Sequence, residues 1–487
     1  MAGMARSPSK ILFAVTVSFV AGVAIHAADE RDWEAASWLL MAGAGCAPAA
    51  WAAFHRPRLR LALLCAGAAL LGLGRYDAAM AGRLGPMNAP AGERIYRTVI
   101  AAEPVIRERN MILTGDRVLF FDGVLLPGKI QIIASSAPNL GSGDEIEIRC
   151  ALMPTEPDAP LRLLDGVAWR CQTRSPPRLL YRAGSRSTVI AIKSHVRSVV
   201  AESLPEPEAS LLLGLVIGDR GGIPNDVADD FRSAGVSHVL AVSGYNVAKI
   251  ADAALMFFAL VGLRRRRALI ATAAALILFA EIAGLGSPVI RATVMGGLSL
   301  AAGLLRRRSD PNNALALAAA LMLADEPSLL RHDVSFALSF AAVWGLAALG
   351  RPLEKELGAV PEFGGLRKIL AETLGATLAT LPFTLLTFGR LPLLAPFANA
   401  AILPFVPAAM AFGFAVIILG SLHPILAFPA AFAAMAPLRW MLSAAAAFAA
   451  LPWNIPLPVG PAVAALLCLW IILLAYALNR RTDRENL

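Results

Sequence analysis

The chain has 487 residues, of which 57% are hydrophobic and 16% are charged, whereas soluble domains carry roughly 25% charged residues. This balance excludes an ordinary soluble protein. It leaves room for about a dozen apolar helices of about 20 residues each, and for one separate domain. The net charge of +9 fits either nucleic-acid binding or basic cytoplasmic loops, and the positions of the basic residues favour the second use.

Three apolar runs open the chain, at residues 11–28, 36–54 and 61–74. Basic residues precede the first run and follow the second, while acidic residues lie between the first and the second. Because basic ends stay in the cytoplasm, this pattern places the N-terminus inside the cell. The region after Arg75 then lies outside. A retained first helix is favoured over a cleaved signal peptide, because further spans follow at once.

Residues 76–208 contain no span. Short β-type runs separated by glycine-rich turns lie at 95–101, 111–121, 129–134, 145–152 and 166–171. Five short strands predict a small barrel of the OB type, and a small sandwich fits nearly as well. Cys150 and Cys171 fall on the last two strands, so they can form a disulfide if this region faces an oxidising compartment.

From residue 209 the apolar pattern returns. The run 211–218 is too short to span and predicts either a re-entrant or interfacial element or a surface loop helix. Nine apolar runs follow, at 236–262, 268–285, 287–305, 311–325, 334–350, 369–388, 397–419, 425–449 and 461–477. When successive spans cross in opposite directions, the basic loops between them all fall on the same side of the membrane. This predicts an α-helical polytopic protein of about twelve spans, with both termini cytoplasmic and an inserted β-barrel outside.

Four parts follow from this pattern: N-terminal membrane helices at 1–75, the barrel domain at 76–208, a polytopic channel-type domain at 209–478 and a basic cytoplasmic tail at 479–487. The predicted location is the bacterial inner membrane. The lipid bilayer is therefore the first expected partner.

The run beginning near Val236 carries the most polar groups. On one continuous helix, a polar stripe and a flanking amide would lie beside a stripe of small residues. The polar group consists of His238, Tyr245, Asn246, Lys249 and Asp252. The helix-packing stripe contains Ser237, Gly244 and Ala248. Ionisable groups inside a bilayer usually mark a pathway. The alternative is that Lys249 and Asp252 pair to hold the bundle together, with His238 at the outer interface.

Four further polar residues lie in or beside later spans. Arg291 is interpreted either as a pore residue or as an arginine that extends to the interface. Asp310 caps a helix, which leaves Asn312 and Asn313 for another role. Asn399 is a lone amide whose ordinary role is a hydrogen bond between helices.

Nothing in the sequence predicts catalysis. The six histidines are scattered, and no zinc-peptidase or nucleotide-binding motif is present. Ser243 lacks the glycine two residues before it that a nucleophile elbow requires. No catalytic residue, metal or cofactor is therefore expected, and an intramembrane enzyme is the least favoured class.

Three stretches together carry a family resemblance. The first joins Leu211-Leu-Leu-Gly-Leu-Val-Ile-Gly-Asp-Arg220 to Phe231-Arg-Ser-Ala-Gly-Val-Ser-His-Val-Leu-Ala-Val-Ser-Gly244. The second joins Ile290-Arg-Ala-Thr-Val-Met295 to Asp310-Pro-Asn-Asn-Ala-Leu-Ala-Leu317. The third contains Leu378-Ala-Thr-Leu-Pro382, Phe388-Gly-Arg390 and Ala398-Asn399. In order and spacing they resemble the ComEC family of competence proteins, over roughly residues 20–477.

The resemblance implies N-terminal helices, an outer OB-type domain similar to ones that hold a disulfide, and a polytopic path by which one DNA strand enters the cytoplasm. Two positions depart from the family pattern: Asn246 stands where a histidine is usual, and Ala337 stands where a glutamine is usual. Many family members continue into a metallo-β-lactamase-like domain. Histidine clusters of that kind are missing here, so no such domain is expected within these residues.

The predicted function is therefore an inner-membrane channel for single-stranded DNA during natural transformation. Expected partners are the DNA strand, a DNA receptor outside, and a helicase or other motor or a separate nuclease. The expected path residues are Asp219, Arg220, Arg232, His238, Tyr245, Asn246, Lys249, Asp252, Arg291, Asn312, Asn313 and Asn399. The alternatives are a transporter of another anionic polymer or metabolite and, less favoured, an enzyme.

Overall fold

The protein is mostly helical, with one small sheet domain. The computed structural model describes residues 7–28, 36–53, 55–81, 92–101, 104–107, 110–120, 125–126, 128–135, 140–141, 143–156, 166–173, 175–182, 187–240, 242–284, 286–305, 310–362, 365–451 and 454–485. The chain forms two compact units. One contains Met1–Ile192 with Ala319–Asp333, and the other contains Lys193–Ala318 with Val334–Leu487.

The helices lie close to the apolar runs of the sequence. In chain order they are α1 (Pro8–Ala28), α2 (Ala36–Ala52), α3 (Pro57–Ala81), α4 (Ser187–Ser203), α5 (Glu208–Ile217), α6 (Asn225–Ser233), α7 (Gly244–Leu260), α8 (Arg265–Ala283), α9 (Ser287–Leu304), α10 (Pro311–Asp325), α11 (Leu329–His332), α12 (Val334–Glu356), α13 (Leu366–Phe388), α14 (Ala395–Ile402), α15 (Val406–Leu422), α16 (Pro424–Ala449) and α17 (Pro461–Glu485).

In the first unit, α3 packs against both α1 and α2. Glycines let the backbones of α1 and α3 approach closely. A Cβ on Gly22 would lie 2.1 Å from the carbonyl oxygen of Ala69. A Cβ on Gly72 would lie 2.3 Å from that of Phe19. Small residues at such crossings are typical of membrane helices, because close backbone packing replaces the hydrophobic effect that lipid does not provide.

The third helix is longer than the predicted run 61–74, and Arg75 lies inside it. Arg75 Nε donates to the carbonyl oxygen of Ala324 at 2.7 Å, and Nη2 donates to that of Asp325 at 2.6 Å. These carbonyls belong to the last turn of α10, where helical acceptors lack intrahelical partners. The hydropathy pattern predicted that the span ends before Arg75. The helix instead continues past Arg75, whose side chain caps the C-terminal end of α10.

The first unit also holds the sheet domain. Its strands are β1 (Glu93–Ile100), β2 (Val105–Arg107), β3 (Asn110–Phe120), β4 (Lys129–Ser135), β5 (Glu145–Pro154), β6 (Val167–Gln172) and β7 (Arg178–Tyr181). The five predicted strands correspond to β1, β3, β4, β5 and β6 within a few residues at each end. The short strands β2 and β7 were missed, because three or four residues carry little periodicity.

Five strands close into a small barrel. The ladder runs β1-β3-β4-β6-β5 and returns to β1, with β4 and β6 parallel and the other pairs antiparallel. The two short strands are not part of this closed ladder: β2 pairs with β3, and β7 pairs with β5. Strict alternation of buried and half-exposed residues in β4 matches a closed barrel with a filled interior. Tyr96, Ile130 and Trp169 are fully buried there.

The second unit is built around α5, a ten-residue helix that is buried along nearly its whole length. It packs against α15, α16, α8 and the 3-10 turn Ser237–Leu240. Elsewhere in this unit, α12 crosses α13, and a two-stranded pairing joins β8 (Arg390–Pro392) to β9 (Asn454–Pro456). The surface-loop interpretation of 211–218 is wrong, because these side chains form part of the core.

Seven helical segments among the described residues are long and apolar enough to cross a membrane. They are Pro8–Ala27, Pro57–Met80, Val334–Glu356, Leu366–Phe388, Ala395–Leu422, Pro424–Ala449 and Pro461–Arg481. The expected number of about twelve is not confirmed. Helices α2, α7 and α10 are only 15–17 residues long, about 22–26 Å, and α8 begins with three arginines.

The continuous helix expected from Val236 is wrong. The chain forms the 3-10 turn Ser237–Leu240 and then begins α7 at Gly244. Ser243 is the N-cap, and its side chain accepts from the backbone N–H of Asn246. Serine at this position supplies an acceptor to a helix end that lacks one, so the cap sets the start of the helix. The predicted span 397–419 lies within the candidate span Ala395–Leu422, which consists of α14, a 3-10 turn at Leu403–Phe405 and α15 in direct succession.

Candidate functional site

The N-terminus of α7 gathers several predicted residues. Asn246 is 2% exposed, and its Nδ2 donates to the carbonyl oxygen of Leu215 in α5 at 3.4 Å. The hydroxyl of Ser243 also donates to Asn246 Oδ1 at 3.2 Å. Asn246 therefore links the start of α7 to the buried helix α5 and is fixed by the cap that precedes it.

Arg291 lies beside the same helix end. Only 5% of this residue is exposed. Its Nη1 donates to the carbonyl oxygen of Ser339 in α12, and its Cζ lies 5.8 Å from the centroid of the Phe340 ring. A Cβ on Gly244 would lie 2.8 Å from Nη2. The interpretation of Arg291 as an arginine that extends to the interface is wrong, because its charge is buried between α7, α9 and α12.

The outer face of α7 carries a polar stripe. Lys249 Nζ lies 5.4 Å from the centroid of the Tyr245 ring, and it lies 3.9 Å from Asp252 Oδ2. The lysine and aspartate side chains are 44% and 76% exposed, and Tyr245 is 40% exposed. Pairing of Lys249 with Asp252 therefore occurs on an open face and does not join α7 to a neighbouring helix.

His238 does not share that stripe. It lies on the 3-10 turn before the cap, with an exposed side chain. The break at Ser243 removes the angular relation that a single helix would have given it. Of the expected packing residues, Gly244 contacts α9 at Arg291 and Ala292, whereas Ser237 and Ala248 are exposed. The buried side chains of α7 are Asn246 and Val247.

Asp219 and Arg220 follow the C-terminal end of α5, which closes with Gly218 at φ +71°. Asp219 Oδ2 accepts from Arg197 Nε at 2.5 Å, and its Oδ1 accepts from the N–H of Gly221 at 3.1 Å. Both carboxylate oxygens of Asp219 therefore accept hydrogen bonds, one in an ion pair and the other in a turn. Arg220 is exposed and makes no ion pair with the described residues.

The remaining expected path residues lie in separate places. Arg232 is exposed on α6 and pairs with Asp229, one helical turn away. Asn312 is exposed, and the backbone N–H groups of Asn312 and Asn313 donate to Asp310 Oδ1 at 2.9 and 3.4 Å. Asn399 is 6% exposed, and its Oδ1 accepts no hydrogen bond from the described residues.

In the barrel, Cys150 on β5 and Cys171 on β6 form a disulfide across neighbouring antiparallel strands. Both residues are buried, at 2% and 1% exposed. Burial of Tyr96 in the same core raises its pKa, and the nearby Arg94 opposes that shift. The barrel therefore has an apolar core that a disulfide crosslinks.

Sequence reasoning missed two polar groups in the helical parts. Glu208, at the start of α5, is 6% exposed and accepts from Arg439 Nε at 2.9 Å. In the first unit, His26 and Asp77 are buried with a 3.9 Å contact, and Arg331 donates to the carbonyl oxygen of Ala27 at 2.8 Å. Glu208 and Arg439 are separated by 231 residues, so no local pattern reveals their pairing.

Comparison with known proteins gives three results. The family model described as "Competence protein" matches residues 215–482, which is more than half of the chain. ComE operon protein 3 of Bacillus subtilis (strain 168) is 26% identical over 220 residues. No solved structure matches the chain significantly.

The relative is much longer than the aligned part. The alignment covers 45% of this chain and 27% of the Bacillus subtilis protein. The family match begins inside α5 and runs into α17, so it contains the cap at Ser243, the Asn246 link and buried Arg291. Together with the long apolar helices, it shows that this chain is a multi-pass membrane protein that belongs to the competence protein family.

Proposed function

We propose that this chain forms an inner-membrane path along which a single strand of DNA enters the cytoplasm during natural transformation. The observation that carries the proposal is the competence-family match over residues 215–482. Within that segment lie a buried arginine and an exposed face with a tyrosine and a lysine. Membership of this family makes DNA uptake the expected process.

The chemistry of these residues suits a single strand. Phosphates do not cross hydrocarbon unaided, so a strand needs a wet path with positive charge and flat surfaces on which bases stack. Tyr245 and Lys249 offer a ring and a cation one turn apart on α7. Arg220, at the end of α5, adds an exposed cation to the same unit. Four more of the expected path residues, Asp219, Asn246, Asp252 and Arg291, lie on or beside α7 and the end of α5.

We also propose the orientation that the charge pattern favours. The barrel lies outside the cell, both termini lie in the cytoplasm, and about twelve helices cross or enter the membrane. A disulfide persists in oxidising compartments and is rare in the cytosol, so the Cys150–Cys171 bond supports an outer position for the barrel. The ladder with one parallel pair and four antiparallel pairs supports an OB-type barrel, which commonly binds oligonucleotides.

Transport through this path needs a separate source of energy. The sequence has no nucleotide-binding motif, and an inside-negative potential opposes the entry of a polyanion. We therefore propose a cytoplasmic helicase or other motor as a partner, with a DNA receptor outside and a separate nuclease that supplies the single strand. Ser243 caps α7 through its hydroxyl, which gives it a structural role.

The proposal is tested in a strain that lacks this gene. Labelled duplex DNA should still reach the outer face of the membrane, while label in the cytoplasm and the number of transformants should fall to background. Expression of the full chain from a plasmid should restore both. Normal cytoplasmic label in the deletion strain would contradict the proposal, and transport of another anion by the purified protein would then favour a different transporter.

A further inference from the structure

Arg291 is a buried cation whose surroundings do not balance its charge. It is 5% exposed, and no carboxylate of the described residues lies within 4.0 Å of its guanidinium. One nitrogen donates to the carbonyl oxygen of Ser339, and the Phe340 ring lies 5.8 Å from Cζ. Nε is buried and has no acceptor among the described residues. Buried charges are ordinarily paired, because an unpaired one loses hydration without compensation.

A second positive feature lies against the same guanidinium. Gly244 is the first residue of α7, a helix of 17 residues, and Nη2 lies 2.8 Å from the point where a Cβ on Gly244 would be. The N-terminus of a helix carries a partial positive charge of about half a unit. The N–H of Asn246 is capped by Ser243, whereas those of Gly244 and Tyr245 have no acceptor among the described residues.

The juxtaposition is therefore a fixed cation at the positive end of a helix, and each carries donors that have no acceptor among the described residues. Without an anion, the two repel each other in a region of low dielectric constant. With an anion that contacts both, guanidinium and backbone N–H groups become hydrogen-bond donors of the kind that bind phosphate. Gly244 matters because any side chain there would occupy the space beside Nη2.

We infer that Arg291 and the N-terminus of α7 form a binding site for one phosphodiester group of the translocating strand. This inference rests on the proposed function, because it assigns the site to a nucleic acid. The neighbouring residues favour a strand over a lipid headgroup. Tyr245 follows Gly244 directly, and Lys249 lies one turn further along α7, about 6 Å in rise. A ring and a second cation at this spacing suit the next base and phosphate of a strand.

The test measures binding to the purified full chain in nanodiscs of zwitterionic lipid. A dye-labelled single strand of about ten nucleotides is titrated at several salt concentrations and followed by fluorescence anisotropy. Arg291→Gln should weaken binding about tenfold or more. The plot of log association constant against log salt concentration should also become less steep by about 0.7, the contribution of one phosphate contact on a single strand.

The matched control is Arg367→Gln. Arg367 Nε also donates to a backbone carbonyl oxygen, that of Val360 at 2.9 Å, but it lies at the start of α13. This variant should keep both the affinity and the salt slope of the unaltered protein. Equal losses in both variants would mean that net charge alone drives binding, which would overturn the assigned site.

Thermal unfolding separates a binding role from a structural one. Without DNA, Arg291→Gln should change the unfolding temperature little, because removal of a repulsive buried charge offsets loss of the donor to the Ser339 carbonyl oxygen. The strand should stabilise the unaltered protein more than the variant. A large loss of stability without DNA, combined with unchanged affinity for the strand, would show that Arg291 serves only to hold Ser339 and would overturn the inference.

Gly244→Ala is the second variant, and it keeps every charge. Its methyl group would displace the guanidinium from the helix end, so strand affinity should fall. Unchanged affinity would overturn the inference even if Arg291→Gln fails to fold. In nanodiscs of anionic lipid, the unaltered protein could retain a headgroup that Arg291→Gln loses. If strand binding were the same in both, the site would belong to lipid and the inference would be overturned.

Failure of this inference is distinguishable from failure of the proposed function. If the deletion strain loses uptake while Arg291→Gln binds the strand normally, the channel role stands and the Arg291 site is wrong. If the deletion strain takes up DNA normally, the channel role is wrong, whatever the binding assay shows.

Discussion

At the scale of single residues, the family segment is organised by polar groups that reach between elements. Asn246 donates to a carbonyl of α5, Arg291 to a carbonyl of α12, and Arg439 to the carboxylate of Glu208. Each of these bonds satisfies a group that would otherwise be costly to bury. The residue types could be read from the sequence as unusual within apolar runs, whereas their partners lie 31–231 residues away.

Asn246→Ala should lower the stability of the protein by about 1–3 kcal/mol, because it leaves the buried carbonyl oxygen of Leu215 without its donor. The measurement is the apparent midpoint of thermal unfolding of the purified chain in detergent. Lys368→Ala is the control, since this residue forms a 3.9 Å ion pair with Glu372 on an exposed face. Midpoints that fall equally in both variants would contradict the role of Asn246.

At the scale of elements, the close crossings of helices depend on glycine. At the crossing of α12 and α13, a Cβ on Gly345 would lie 2.3 Å from the carbonyl oxygen of Gly375. Sequence reasoning located both helices within a few residues, because hydropathy and helix breakers act locally. It did not locate this contact, since a glycine inside a helix looks the same in sequence whether it faces a neighbour or open space.

Two glycine variants should therefore differ in their effect on stability. Gly345→Ala should lower stability by about 2 kcal/mol or more, because the methyl group would force α12 away from α13. Gly297→Ala, in α9, has no atom within 4 Å of the added Cβ and should be neutral or stabilising by up to about 1 kcal/mol. Both are measured as shifts in the thermal midpoint, and a destabilising Gly297→Ala would contradict the assigned packing.

At the scale of the whole molecule, the charge pattern makes a prediction about sidedness. The basic loops at Arg264–Arg267 and at Arg367 and Lys368 should face the cytoplasm, and the barrel should face outward. The disulfide, which lies inside the barrel, needs the same orientation to form during synthesis. Two independent features of the molecule therefore predict one topology.

That topology is tested with single cysteines in a chain whose Cys46, Cys65 and Cys468 are replaced by alanine. In β7, Arg178 has a side chain 80% exposed, and in α13 Lys368 is 66% exposed. A membrane-impermeant thiol reagent added to intact spheroplasts should label Arg178→Cys at once, and Lys368→Cys only after the membrane is opened. The reverse labelling would overturn the assignment of inside and outside.

The sequence by itself determined the class of protein and the positions of most helices and strands. These follow from local properties: apolar length, alternation, caps and turn residues. The competence-type family was indicated separately, by the resemblance of three sequence stretches. The sequence also contained the cap signal Ser243-Gly244-Tyr245-Asn246, which an apolar run of 27 residues concealed. Only the tertiary structure decided that α5 is buried, that the strands close into a barrel, and that Arg291 of α9 lies beside the start of α7. The physical reason is that these are contacts between segments far apart in the chain, which local patterns do not encode.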